Sequence, residues 1–79
     1  MSRTLDARRH EALRAFLVER RKIASLRQVD LGKRLGRSQS YVSHIEIGQK
    51  SIALIELIEW AEAIGFDPEE AITEIVKIR

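Results

Sequence analysis

The chain has 79 residues, no cysteine, and a net charge of +2 from 14 basic and 12 acidic side chains. That length gives room for one small domain with a single core, and the lack of cysteine excludes disulfides and thiolate metal sites. The opening stretch MSRTLDARRHEALRAF lacks the apolar segment of a secretory signal, and no apolar run approaches the ~20 residues of a membrane span, so a soluble, intracellular protein is expected.

The charge is unevenly placed. Residues 1–37 carry eleven Lys and Arg against four acids, and residues 38–79 carry three against eight. A chain with one face built for a polyanion and another kept away from it would look like this; an ordinary solvated surface could give the same totals.

Gly36, Gly48, Gly65 and Pro68 fall at the boundaries of periodic segments, no alternating strand pattern appears, and the chain reads as five helices. The first spans about residues 6–24, with Leu13, Phe16, Leu17 and Ala24 along one side. The second, about 28–35, stops at Gly36, and the third, about 39–47, is capped by Ser38 and stopped by Gly48. The fourth covers about 52–64 with Ser51 as its cap. The fifth, about 68–78, starts at Asp67-Pro68-Glu69-Glu70, where an Asx cap, a first-position proline and a third-position glutamate coincide.

The third segment, GRSQSYVSHIEIG, places a serine four residues before a histidine. On a helical wheel Val42, Ile45 and Glu46 gather on one side with Gln39 at the flank, while Ser40, Ser43, His44 and Ile47 gather on the other. Ser40 and His44 are thus neighbours, but a nucleophilic serine also needs an oriented base, an oxyanion hole and a concave pocket, and a helix face is convex. His44 and Glu46 project from different sides, His10 is the other histidine, and there is no Cys/His cluster or HExxH. No catalytic residue, metal or cofactor is therefore assigned.

From Gln28 the chain reads QVDLGKRLGRSQSYVSHIEI. Gly32 falls where a close helix crossing needs a small residue, Gly36 sits in a turn, and Leu31, Leu35, Val42 and Ile45 supply two apolar faces. In these residues, together with Gln28, Ser38, Ser43, Glu46, Gly48 and the apolar helix Leu54 to Ile64, the chain resembles the Cro/C1-type (XRE) helix-turn-helix regulators, over about Leu17 to Pro68. The resemblance implies an all-α, compact five-helix lambda-repressor-like DNA-binding domain, with helices two and three as the helix-turn-helix. It makes helix three the recognition helix and Gln39, Ser40, Ser43 and His44 its base-reading side chains. Their chemistry is suitable: Gln pairs with adenine, Ser with any base, and His donates to guanine.

The resemblance places Gln28 over a phosphate at the start of helix two. Gln49 and Lys50 are placed for the backbone, and Arg27, Lys33, Arg37 and the arm residue Arg3 are further phosphate candidates, for which idle solvation is the competing reading; Tyr41, at the edge of the face, is placed either to pack or to reach a phosphate. It also implies that Arg21 and Glu46 pair as a structural salt bridge, which suits a carboxylate on the core-facing side of helix three. Three departures stand out. Arg27 replaces a Ser, Thr or Asn cap, so Ser25 caps helix two or the helix starts differently; Ile47 replaces a polar residue, meeting a thymine methyl or standing exposed; and Ile52 replaces a frequent proline.

In IALIELIEWAEAI the polar Glu56, Glu59 and Glu62 form one stripe of roughly 120°, leaving more apolar surface than an ordinary amphipathic helix needs. Two outcomes are open: a core that wraps helix four, or a twofold dimer seam drawn from Leu54, Leu57, Ile58, Trp60, Phe66, Ile72 and Ile75. The expected function is a sequence-specific double-stranded DNA-binding regulator, a homodimeric repressor acting in a prokaryotic or phage-encoded setting. The alternative is an antitoxin or adaptor whose apolar C-terminal helices bind a partner protein.

Overall fold

The computed structural model describes residues 4–79. They form α1 (Leu5–Ile23), α2 (Gln28–Leu35), α3 (Gln39–Glu46), α4 (Leu54–Ile64) and α5 (Pro68–Val76), with no strand among the described residues. The arm residue Arg3 lies outside them.

Local chemistry sets the helix ends. The Thr4 hydroxyl accepts the Ala7 N–H at 3.1 Å to start α1, and Arg20, Arg21 and Lys22 complement its negative C-terminal end. Ser25 then takes a left-handed conformation with φ 59°, and the Leu26 N–H returns to the Arg21 carbonyl at 3.1 Å. Ser25 thus ends α1 and does not cap α2. The α2 start is secured from within the helix, where Asp30 accepts the Arg27 backbone N–H at 2.9 Å. α2 ends at Gly36, whose φ of 68° needs no strain in the absence of a Cβ, and the Arg37 N–H bonds back to Gly32 at 2.8 Å.

α4 begins two residues later than the pattern suggests. Glu56 reaches back to the Ala53 N–H at 3.0 Å, replacing the expected Ser51 cap, and Ile52 leaves the helix to pack against the core. α5 starts where expected, with Asp67 accepting the Glu69 N–H at 2.9 Å, but ends at Val76, before Ile78.

Leu17, Leu31, Val42, Ile45, Leu57, Trp60 and Ala71 form the core, drawn from all five helices. Each large side chain so buried contributes about 1.5–3 kcal/mol. α1 packs on α5 and α3, α2 on α3 and α4, so the α2–α3 pair is backed from both sides. This corrects the seam expected on α4: Leu57 and Trp60, 4% and 0% exposed, belong to the core of one chain and have no surface to offer a second. Phe66 and Ile75 are half-buried, Phe66 with its ring edge-to-face against Phe16. Leu54, Ile58 and Ile72 are exposed, as are Ile55 and Val76, which the expected seam left out.

Candidate nucleic-acid interface

α3 is held by its buried side and open on the other. The Ser38 hydroxyl accepts the Tyr41 N–H at 3.2 Å, and Val42 and Ile45 are buried. Gln39, Ser40, His44 and Ile47 are exposed, and Ser43 is half-buried at the edge of that row. The turn before α3 is tight: a Cβ on Gly32 would lie 2.8 Å from the Arg37 carbonyl oxygen and 3.2 Å from that of Ser38. Only a glycine lets α2 approach the turn this closely.

A polar chain fixes how α3 sits. Arg21 grips Glu46 with two bonds, Nε to Oε2 at 2.6 Å and Nη2 to Oε1 at 3.0 Å, and gives its third donor to the Leu26 carbonyl at 2.8 Å. Gln28 adds its amide N–H to Glu46 Oε1 at 2.9 Å. The carboxylate of Glu46 therefore has three donors, from α1 and α2, which offsets the cost of burying it. With its nitrogen turned to Glu46, Gln28 presents its oxygen to the Gln39 amide at 3.4 Å, a long contact that orients the first residue of α3.

The phosphate candidates differ in what already holds them. Arg27 is paired with Asp30, Nε to Oδ2 at 2.9 Å and Nη2 to Oδ1 at 3.0 Å. Bonds from the Arg27 side chain and backbone N–H hold the Asp30 carboxyl at about 2, well below its ordinary range. Lys33, Arg37, Gln49 and Lys50 are exposed around α3. Arg14, unassigned by sequence, lies against the backbone of Gly48 just past α3, where a Cβ would meet its guanidinium at 2.8 Å.

Tyr41 requires a correction. Its single O–H donates to Glu56 Oε2 at 2.5 Å and its oxygen accepts the Trp60 indole N–H at 3.2 Å, so it has no donor left for a phosphate. Burial, then the Glu56 contact, push the Tyr41 phenol above its ordinary value, while the Tyr41 O–H followed by the Ala53 N–H draw the Glu56 carboxyl below its own. Ile47 also acquires a setting: it lines a shallow groove with Ala15, Val18 and Ile23 of α1. Among the described residues no group of His, Cys, Asp or Glu is gathered as a metal site.

This is the architecture of a helix-turn-helix DNA-binding regulator. A family model described as a helix-turn-helix domain matches residues 2–71, and the chain belongs to that family. Among solved structures it is similar to an XRE-family like protein from Pseudomonas syringae pv. tomato str. DC3000, 34% identical, with 90% of this chain and 87% of that one covered at a TM-score of 0.85. It shares its fold with the clp gene regulator ClgR from C. glutamicum, 24% identical, with 95% and 92% covered at a TM-score of 0.78. No curated protein sequence matches. The chain is thus an XRE-type helix-turn-helix regulator.

Proposed function

We propose that this regulator is a homodimeric repressor that reads a pseudo-palindromic operator with α3 in the major groove. The observation that carries the reading is the exposed row Gln39, Ser40 and His44, with Ser43 at its edge, on a helix fixed by the part-buried Arg21–Glu46–Gln28 contacts. Small polar groups on a rigid helix are what direct readout of base edges requires. Lys33, Arg37, Gln49 and Lys50 then meet the flanking phosphates. Arg27, tied to Asp30, does so with the N–H groups that pair leaves over, and Gln28 with its second amide N–H.

The dimer seam is drawn from Leu54, Ile55, Ile58, Ile72 and Val76, the exposed apolar residues of α4 and α5. Two recognition helices related by a twofold axis would engage half-sites about one turn of DNA apart. Repression follows by occlusion of a promoter, in the cytoplasm of a prokaryote; no described helix is long and apolar enough to cross a membrane. The same apolar residues favour a second reading, in which a partner protein occupies them and DNA binding serves autoregulation.

Gel shifts on DNA from upstream of the gene, across a salt series, test the main reading. Affinity falling steeply with salt and a palindromic footprint are expected. Equal binding to every duplex contradicts it.

A further inference from the structure

One aromatic ring gathers cations from both ends of α3. The Arg37 guanidinium lies 4.6 Å from the Tyr41 ring centroid and the Lys50 ammonium 5.6 Å from it, both within the ~6 Å reach of a cation–π contact. Arg37 immediately precedes the Ser38 cap, and Lys50 follows the turn that ends the helix. The ring itself is seated against the hydrophobic core, and its hydroxyl is held by Glu56 and by the fully buried Trp60. Among the described residues neither cation is in an ion pair.

The mode of contact matters. A carboxylate would order a guanidinium by consuming its N–H donors, as Asp30 does for Arg27. An aromatic face orders it through the π surface and leaves those donors pointing outward. Long, mobile side chains lose rotamer freedom when they bind, and a platform that restricts them beforehand reduces that cost.

We infer that Tyr41 is a positioning residue whose ring, seated against the core, holds Arg37 and Lys50 ready for the DNA phosphates on either side of α3. The inference rests on the reading of α3 as a major-groove helix and adds to it a residue that touches no DNA.

Two measurements on the full chain test it. The first uses NMR without DNA: ring-current shifts should move the Arg37 Cδ and Lys50 Cε protons upfield, persist in Tyr41→Phe and vanish in Tyr41→Leu. The second is affinity for a mixed-sequence DNA duplex across a salt series. Tyr41→Leu should weaken binding about tenfold and flatten the log–log salt slope by about 1–2, the equivalent of one or two phosphate contacts, while Tyr41→Phe binds like the wild type. Added to Arg37→Gln/Lys50→Gln, Tyr41→Leu should cost nothing further.

An unchanged slope in Tyr41→Leu, or an undiminished loss in the doubly substituted background, overturns the inference. If Tyr41→Leu does not fold, the wild-type and Tyr41→Phe spectra decide, and the absence of upfield shifts overturns it. A wild type that binds duplex DNA without salt dependence overturns the reading of the interface, and the inference with it; that failure is distinct, since the shifts are read without DNA.

Discussion

Arg21 on α1 holds Glu46 on α3 in a two-bond ion pair, Nε to Oε2 at 2.6 Å and Nη2 to Oε1 at 3.0 Å, with both side chains less than a tenth exposed. Removing either partner strands a charge in a poorly solvated site, which typically costs 3–5 kcal/mol. Arg21→Ala and Glu46→Ala should each lower stability on that scale, about 3 kcal/mol, with Glu46→Ala also releasing Gln28. Urea melts of both variants and the double variant measure the coupling, and the double should cost clearly less than the two losses added together. Strict additivity would contradict a direct pairing.

The α2–α3 crossing depends on one missing methyl group. Gly32→Ala places a Cβ 2.8 Å from the Arg37 carbonyl oxygen and close to Ser38, both backbone atoms of the turn, which cannot rotate out of the way. Destabilisation of about 1–3 kcal/mol is expected, the usual cost of overpacking. Chemical denaturation reads it directly, and an unmoved midpoint would show that the helices can part without penalty.

Acid should loosen the start of α2. The Arg27 contacts lower the Asp30 carboxyl from 3.8 to about 2, so the folded state binds its proton less readily than the unfolded chain does. The stabilisation is present above 3.8 and is lost as pH falls toward and through about 2. Glu56, drawn down by Tyr41 and the Ala53 N–H, acts with the same sign at the start of α4. Melting temperature followed against pH should decline in that acid window, and Asp30→Asn should flatten the decline. A variant with an unaltered pH profile would argue against the capping role.

The α2–turn–α3 unit was legible because its signals are local: a small residue at Gly32, a cap at Ser38, a left-handed glycine at Gly36 and apolar residues at helical spacing. The Arg21–Glu46 pair was implied by the family resemblance; the helical wheel alone showed only that Glu46, on the buried side, needs a cation. The apolar arc of α4 was visible too, but a wheel cannot say which part of the arc the chain's own helices cover. Leu57 and Trp60 turn inward while Ile55 turns outward, and only the packing of α2 and α5 decides that. Tyr41 was misplaced for a similar reason, because its partner Glu56 lies on another helix. The Arg27–Asp30 pair, three residues apart, could have been read from spacing alone.

The exposed apolar residues of α4 and α5 make oligomeric state a sharp test. The purified chain should run as a dimer, and Ile55→Glu with Ile58→Glu should shift it to monomer while leaving the single-chain core intact, since Ile55 is 67% and Ile58 38% exposed. Sedimentation velocity separates the two species. A wild type that is monomeric at tens of micromolar would contradict the seam.

Readout by α3 is the central claim, and selection of duplexes from a random pool, followed by sequencing, tests it most directly. The wild type should enrich a twofold-symmetric motif, and Ser40→Ala and His44→Ala should each relax preference at a single position per half-site, by about 1–3 kcal/mol. Lys50→Ala should lower enrichment of all sequences alike. Failure to enrich any motif, or an identical motif from all of these variants, would contradict the account.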